Sequence, residues 1–193
     1  MTSAWRGDRV RLRGVEPEDW QAFMGFDEFS DDVRQAWLLP PPRSAEAYRR
    51  WAAEVAARDP RLDEFRLAVE SLDEQALVGG INTAHPDPGN GTFGYGVAIG
   101  RPYQRRGYAS EAVVLLLRYM FGERRYQKCN VELYAPNIGS LALHARLGFV
   151  EEGRRRRSQY FAGGYHDMVL LGMTIEEFDQ LHGLGTAHEM RPR

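Results

Sequence analysis

The order of predicted elements between residues 92 and 135 constrains the fold more than any other feature of the sequence. Thr92–Ile99 has the apolar character of a strand, residues 107–121 carry an apolar stripe at helical spacing, and Val131, Leu133 and Ala135 alternate as a further strand. A helix that joins two neighbouring strands makes them parallel. The sequence therefore predicts a sheet that contains a parallel crossover.

Antiparallel elements precede this unit. Residues 65–70 and 76–82 have the pattern of two strands joined by the polar turn 72–75, and the turn-rich residues 86–91 lead into Thr92–Ile99. The other predicted elements are a strand at Val10–Gly14, helices over residues 16–26 and 44–58, a mostly irregular segment over 27–43, a helix over Ile138–Leu147 closed by Gly148, and a hairpin over 159–174. Together these predict an α/β (α+β) fold built on a mixed sheet.

The chain has 193 residues, of which 43% are hydrophobic and 27% charged. This length suits one sizeable core and is short for two ordinary domains. We therefore expect one domain over residues 1–181 and a flexible C-terminal tail over residues 182–193, which lack periodicity. A formal net charge of -2 gives no global reason to bind nucleic acid or a membrane, and neither is an expected partner.

Cysteine usage and the N-terminal residues bear on the cellular compartment. Cys129 is the single cysteine, so the chain has neither an internal disulfide nor a cysteine cluster for a metal. His166 and Asp167 are adjacent but have no companion ligand at suitable spacing, so no metal site is predicted. Residues 1–19 mix arginines and acids without an apolar segment, unlike a signal peptide. We expect a cytoplasmic protein.

The loop between the strand Thr92–Ile99 and the next predicted helix has the properties of an anion site. The start of a helix exposes unpaired backbone N–H groups and a partial positive charge. Gly107 has no β-carbon to keep a ligand from the backbone. Arg105 and Arg106 add positive charge, which suits a pyrophosphate.

Two common nucleotide motifs do not fit the sequence. The loop lacks the Gly-Lys-Ser/Thr ending of a Walker A loop, and Gly94 and Gly96 lie within a strand rather than at the start of a helix, unlike a dinucleotide fingerprint. Glycines inside a strand instead indicate a bulge or the close approach of another backbone-like group. The two amides of a pantetheine arm form such a group.

These residues resemble the GCN5-related N-acetyltransferase (GNAT) superfamily. Gln104, Gly107 and Ala109 match its Arg/Gln-x-x-Gly-x-Gly/Ala turn, and residues 137–149 and 164–167 resemble the RimJ/RimL branch, the ribosomal-protein N-terminal acetyltransferases and their relatives. The resemblance implies a strongly curved mixed sheet of about seven strands, with helices on both faces. It also implies a splay between the fourth and fifth strands.

The resemblance further implies that acetyl-CoA is the co-substrate. Its acyl-pantetheine arm is expected to enter the splay, to pair with backbone near Val97 and Ile99, and to contact Asn137. Its pyrophosphate is expected to bind the loop and the helix start at Gln104, Arg105, Arg106, Gly107, Tyr108 and Ala109. The family also implies a homodimer.

Asn137, Ser140 and His144 are spaced three and four residues apart, so they share one face of the predicted helix. By the resemblance, Ser140 is the expected hydroxyl nearest the sulfur. His144 stands where many relatives have a tyrosine that protonates the thiolate, and it is the second candidate acid. The structural alternatives are helix caps for Asn137 and Ser140 and a partly exposed helix position for His144.

The general base and the amine contacts are less constrained. The family's glutamate near the start of the fourth strand is replaced by Thr92, so that role does not transfer. Asp167 is the candidate catalytic carboxylate, and Glu132 is a second acid expected near the acceptor. Structural hydrogen bonding is the alternative for both acids, and a water relay is the alternative base. Trp37, in the irregular segment, is expected to contact the substrate.

The predicted reaction is acyl transfer to a primary amine by direct attack in a ternary complex. The amine belongs either to a protein N-terminus or to a small molecule. One alternative is a non-catalytic acyl-CoA sensor or partner-binding module, because the family's glutamate is absent. Another is a longer donor such as succinyl-CoA, for which the arginines at positions 154–157 are the indication.

Overall fold

A seven-stranded sheet organises the computed structural model, which describes residues 3–36, 39–59 and 63–184. The strands are β1 (Val10–Gly14), β2 (Arg66–Ser71), β3 (Leu77–Asp87), β4 (Thr92–Ile99), β5 (Lys128–Tyr134), β6 (Val150–Phe161) and β7 (Gly164–Thr174). Their order is β1-β2-β3-β4-β5-β7-β6, with β4 and β5 parallel and all other neighbours antiparallel. The predicted mixed sheet and parallel crossover are confirmed.

Helices connect these strands. They are α1 (Trp20–Phe26), α2 (Ser30–Ala36), α3 (Ala45–Ala56), α4 (Tyr108–Gly122), α5 (Ile138–Leu147) and α6 (Ile175–His182), with short 3-10 turns at Pro17–Asp19 and Arg101–Tyr103. Local residue preferences explain several of their ends. The Ser44 hydroxyl caps α3 by accepting the Ala47 N–H at 3.2 Å. Gly148 ends α5 in a left-handed conformation with φ 95°, as predicted.

Three elements differ from the sequence-based expectation. Residues 27–43 were expected to be mostly irregular, but α2 begins there at Ser30 and is supported by an ion pair between Arg34 and Asp31 at 3.1 Å. β6 begins at Val150, ahead of the predicted hairpin, and its mostly exposed residues lack the apolar alternation that would reveal a strand. No helix was predicted after the hairpin, but α6 follows β7 and begins with a capping box formed by Thr174 and Glu177.

Different helices cover the two faces of the sheet. On β2, Val69 belongs to the large apolar cluster that includes Leu116 of α4, whereas Ala68 packs with Phe23 of α1 and Trp51 of α3. Adjacent residues of a strand point to opposite faces. α4 therefore lies on one face and α1 and α3 lie on the other, which confirms helices on both faces. Burial of one leucine such as Leu116 contributes about 2 kcal/mol to this arrangement.

β4 and β5 separate soon after they begin. Thr92 pairs with Lys128 and Phe93 pairs with Cys129, and within the described ranges no further pair joins the two strands. β4 nevertheless continues beside β3 as far as Ile99, and β5 continues beside β7. One edge of each strand therefore faces an opening, and the predicted splay between the fourth and fifth strands is confirmed.

The C-terminal end of the described chain is attached to α4. Arg118 donates hydrogen bonds to the carbonyl oxygens of His182 and Gly183, both at 3.2 Å. Residues 185–193 of the predicted tail lie outside the described residues, and a single domain over residues 1–181 stays a prediction. Within the described ranges, none of the helices has the length and apolar character needed to span a bilayer.

Candidate active site

A cavity of about 590 Å³ lies at the start of α4. It is bounded by the loop before α4, by α4 itself, by the residue before β1, and by the C-terminal ends of α5 and α6. The lining residues are Arg9, Arg105, Arg106, Gly107, Ser110, Glu111, Val114, Leu147 and His182. Because the first N–H groups of a helix have no acceptor within it, this wall offers both hydrogen-bond donors and positive charge. The predicted anion loop thus lines a cavity of ligand size.

The backbone of this loop is left-handed at two residues. Gly107, the residue that caps α4, has φ 86°, and Arg105 has φ 64°. Glycine adopts this conformation at little cost, whereas another residue pays about 1–2 kcal/mol. The arginine at position 105 is therefore held in an unfavourable conformation at the mouth of the cavity, which is a common property of binding loops.

The three arginines of the cavity have different partners. Arg106 forms an ion pair with Glu74 and donates to the carbonyl oxygen of Pro102 at 2.9 Å. Arg9 donates to the carbonyl oxygen of Arg106 at 3.4 Å and packs beside Gly107. Arg105 is exposed at the cavity. Arg9 and Arg105 therefore supply positive charge to the cavity, while the charge of Arg106 is shared with a carboxylate.

Glu111 places a negative charge in the wall of the cavity, and backbone donors compensate it. Its carboxylate accepts the N–H groups of Asp8 at 2.9 Å, Arg9 at 2.8 Å and Val10 at 2.7 Å. Charge-assisted hydrogen bonds of this kind are stronger than neutral ones. Glu111 therefore fixes the backbone of Arg9 in the cavity wall.

The predicted pantetheine contacts lie on β4 beside the splay. Val97 pairs with Ile81 of β3 on one edge, so its other edge faces the opening. The side-chain amide of Gln104 donates to the carbonyl oxygen of Ile99 at 3.0 Å. One lone pair of that carbonyl is thus used within the protein, and Gln104 ties the loop to the end of β4.

Tyr108 and Ala109 occupy the first turn of α4. The Tyr108 side chain is buried, and its hydroxyl accepts a hydrogen bond from the Ser71 hydroxyl at 3.1 Å. Only the backbone of Tyr108 is therefore available to a ligand in the cavity. Ala109 is half-buried and is small enough to leave the first turn accessible.

Asn137, Ser140 and His144 meet at the start of α5, as their spacing predicts. The Asn137 side-chain oxygen caps the helix by accepting the Ser140 N–H at 3.0 Å. The half-buried Ser140 places its hydroxyl 3.4 Å from Nδ1 of His144. His144 is only 1% exposed, so the structural alternative of a partly exposed helix position is wrong. Its ring fills the space between α5 and the sheet.

A tyrosine that the sequence analysis did not select contacts this group. The Tyr95 hydroxyl of β4 lies 2.8 Å from Nε2 of His144, and Nδ1 of the same ring lies 2.7 Å from the Ser140 carbonyl oxygen. Burial lowers the pKa of His144 and raises the pKa of Tyr95 well above its usual value. Both groups are therefore neutral near pH 7.

The two candidate carboxylates are engaged with β6. The Asp167 carboxylate accepts the Arg157 backbone N–H at 2.8 Å, and Glu132 forms an ion pair with Arg155, one oxygen accepting at 3.1 Å. Trp37 lies outside the described residues. The catalytic role of Asp167 and the substrate contacts of Glu132 and Trp37 stay predictions.

Sequence reasoning missed Arg9, Glu111 and Tyr95 because their partners are distant in the chain. Arg9 and Arg106 are 97 positions apart, and Tyr95 and His144 are 49 apart. Glu111 lies in the first turn of α4, where a glutamate is common because it interacts favourably with the helix dipole. Its presence there therefore gives no indication that it also bonds to residues 8–10.

The family described as the acetyltransferase (GNAT) domain matches residues 9–150, which span the chain from the cavity arginine before β1 through α5 and into β6. The chain belongs to the GNAT family. This GNAT enzyme is an N-acetyltransferase.

Individual relatives agree with this assignment. This GNAT protein is 41% identical over 181 residues to the SPbeta prophage-derived uncharacterized N-acetyltransferase YokL of Bacillus subtilis (strain 168), covering 93% of this chain and 97% of the relative. It is 29% identical over 115 residues, 59% of each chain, to the ribosomal protein uS5-alanine N-acetyltransferase of Escherichia coli (strain K12), in agreement with the predicted RimJ/RimL-like branch.

A solved structure shows the same fold. The spermidine N-acetyltransferase from Vibrio cholerae, in complex with CoA and spermine, superposes on this GNAT protein with a TM-score of 0.77 at 19% identity. The superposition covers 89% of this chain and 99% of that one.

Proposed function

We propose that this N-acetyltransferase transfers the acetyl group of acetyl-CoA to a primary amine by direct attack in a ternary complex. The observation that carries the proposal is the separation of β4 from β5 after their second residue pair. β4 runs along this opening and ends at Ile99, from which the loop leads to the cavity before α4. The opening and the cavity together suit a thioester arm attached to a diphosphate.

The residues present fit the chemistry of acetyl-CoA. Arg9 and Arg105 supply positive charge where α4 exposes its first N–H groups, which suits phosphate oxygens. The free edge of β4 around Val97 offers backbone donors and acceptors to the amides of a pantetheine arm. Asn137 and Ser140 at the start of α5 are the proposed neighbours of the thioester end.

The chemistry needs a neutral amine and a proton for the departing sulfur. The amine nitrogen forms a bond to the acyl carbon while the carbon–sulfur bond breaks, and that electron pair goes to sulfur. We assign the Ser140 hydroxyl to supply the proton to sulfur. The nitrogen loses a proton to solvent, and solvent returns a proton to the Ser140 oxygen. The products are therefore an N-acetylamine and the CoA thiol.

The amine acceptor is proposed from the relatives. One relative is named for the N-terminal alanine of a ribosomal protein and a structural neighbour for spermidine, so a protein α-amine and a small-molecule amine are the two acceptor classes to test. A cytoplasmic homodimer is part of the same proposal. Cys129 is a free, buried thiol, which is compatible with a reducing compartment.

The first test is donor binding followed by turnover. We expect acetyl-CoA to raise the melting temperature, and succinyl-CoA to do so less. Release of free CoA is then measured with a panel of protein N-terminal peptides and polyamines. Stabilisation without CoA release from any amine would favour the acyl-CoA sensor, and the absence of stabilisation by any acyl-CoA would refute the donor site.

The second test is Ser140→Ala. We expect kcat to fall about 100-fold, because a positioned proton donor is lost, while the Kd for acetyl-CoA stays unchanged. Ser158→Ala, on the exposed surface of β6, is the control and is expected to retain full turnover. A Ser140→Ala enzyme with unchanged kcat would remove Ser140 from the mechanism.

A further inference from the structure

Tyr95 and His144 connect the two sides of the splay. Tyr95 belongs to β4, whereas His144 belongs to α5, the helix that follows β5. Their side chains are 7% and 1% exposed, and the Phe149 ring packs edge-on against His144 at 5.0 Å. The bond between the Tyr95 hydroxyl and His144 Nε2 is therefore shielded from water, where hydrogen bonds are strong and their directions well defined.

The partners of His144 determine where its ring hydrogen lies. A carbonyl oxygen only accepts hydrogen bonds, so the 2.7 Å contact with the Ser140 carbonyl favours the ring form that carries its hydrogen on Nδ1. In the neutral ring Nε2 then carries no hydrogen and accepts one from Tyr95. His144 consequently has no hydrogen to give to a ligand, since the one on Nδ1 is already bonded to the backbone.

This arrangement also directs the Ser140 hydroxyl. The Ser140 oxygen lies 3.4 Å from the same Nδ1. Because Nδ1 carries a hydrogen, the Ser140 hydroxyl cannot donate to it, and its own hydrogen must point elsewhere. If the ring hydrogen moved to Nε2, the bare Nδ1 would instead accept the Ser140 hydroxyl hydrogen and withdraw it from the substrate.

We propose that Tyr95 is a positioning residue, which acts through His144 to keep the Ser140 hydroxyl hydrogen available to the departing sulfur. The proposal rests on the role proposed for Ser140. It reassigns His144 from a candidate proton donor to a positioning residue. A phenol hydroxyl is a better hydrogen-bond donor than acceptor, because its oxygen lone pair is delocalised into the ring. Tyr95 therefore favours the ring form in which Nε2 accepts and the Ser140 hydroxyl hydrogen stays free.

The kinetic test is Tyr95→Phe, made in the wild-type and the Ser140→Ala backgrounds. In the wild-type background we expect kcat to fall about fivefold to tenfold, the effect of one buried hydrogen bond, with the Kd for acetyl-CoA unchanged within about twofold. In the Ser140→Ala background we expect no further loss, since Tyr95 acts through the missing hydroxyl. Equal losses in both backgrounds would show a purely structural role and overturn the proposal.

A matched control removes another buried tyrosine hydroxyl. Tyr126 is 2% exposed and donates to Asp63 at 2.7 Å. Tyr126→Phe is expected to lower the melting temperature while kcat stays unchanged. A kcat loss in Tyr126→Phe equal to that in Tyr95→Phe would count against a specific role for Tyr95.

The ring form of His144 is measured directly by ¹⁵N NMR, with its signals assigned by their loss in His144→Gln. We expect hydrogen on Nδ1 in the wild-type protein and a larger share on Nε2 in Tyr95→Phe. A wild-type ring with its hydrogen on Nε2 would overturn the proposal even if Tyr95→Phe failed to fold. Unchanged turnover in Ser140→Ala would instead refute the role of Ser140 itself, so the two failures are distinguishable.

Discussion

At the scale of single residues, the loop before α4 concentrates conformational cost beside positive charge. Arg105 and Gly107 both have positive φ, but only glycine adopts this conformation cheaply. The left-handed conformation of Gly107 turns the chain directly into the first turn of α4. The direction in which the N–H groups of that turn point therefore depends on the backbone at position 107.

We expect Gly107→Ala to weaken acetyl-CoA binding about tenfold and to lower the melting temperature. The new methyl group would have room, since its nearest neighbour is Arg9 at 3.7 Å, so the cost is the backbone strain of about 1–2 kcal/mol. Gly163→Ala is the matched control, because Gly163 has φ 79° with open space around it in the β6–β7 turn. It should lose similar stability and keep its affinity for acetyl-CoA. Equal affinity in both variants would contradict the role assigned to the loop.

At the scale of elements, the splay begins where β4 and β5 approach most closely. A β-carbon at Gly94 would lie 2.8 Å from the carbonyl oxygen of Asn130 on β5 and 3.4 Å from that of Ala84 on β3. From the sequence, Gly94 was interpreted as a place where a backbone-like group comes close, and at this residue the group is the backbone of β5. Beyond this contact the two strands diverge, so Gly94 marks the closed end of the opening.

Gly94→Ala is expected to lower the free energy of unfolding by about 1–3 kcal/mol, because backbone atoms on two sides must move. Gly14→Ala provides a control within a strand, since a β-carbon there meets nothing within 4 Å. That change should leave stability unchanged or raise it by about 0.5 kcal/mol. Chemical denaturation measures both, and equal stability of the two variants would show that β5 does not crowd β4 at this point.

At the scale of the whole molecule, the buried His144 links stability to pH. Burial lowers its pKa from the ordinary value of 6.5, although the Ser140 carbonyl opposes the shift. Below about pH 6.5 the unfolded chain therefore binds a proton that the folded protein resists, and the free energy of unfolding falls. The hydrogen bond from Arg154 lowers the pKa of Glu151 below its ordinary value of 4.5. Protonation of Glu151 therefore affects the free energy of unfolding only at lower pH than His144 does.

We expect the melting temperature to fall between about pH 7.5 and pH 5.5, and His144→Gln to remove a measurable part of that fall. The comparison of the two proteins across this range isolates residue 144, because carboxyl groups such as Glu151 titrate at lower pH. Parallel pH profiles for the wild type and His144→Gln would refute the neutral buried ring.

The sequence-based predictions were accurate where an element depends on local signals, and they failed where it depends on residues distant in the chain or carries little apolar pattern. The helix after the anion loop and its glycine at 107 were predicted because periodicity and a turn residue are local signals. β6 was recognised only in its last residues, because it is an edge strand exposed on both faces. α2 was missed because its short sequence carries little apolar content.

The candidate site shows the same division. The spacing of Asn137, Ser140 and His144 was sufficient to place them together on α5. The burial of His144 depends on Tyr95 and Phe149, which no local pattern connects to it. Tertiary packing therefore changed the interpretation of the histidine while leaving the cluster itself intact.

The cavity at the start of α4, the proposed donor site, draws its walls from nearly the full described length of the chain, from Arg9 to His182. Glu111 can hold the backbone of residues 8–10 only after residue 111 has been synthesised, and Leu147 and His182 follow later still. The walls of this cavity consequently cannot come together until residue 182 has been synthesised. A chain that ends before α6 lacks part of this wall, so we expect acetyl-CoA to stabilise it less than the protein that contains α6.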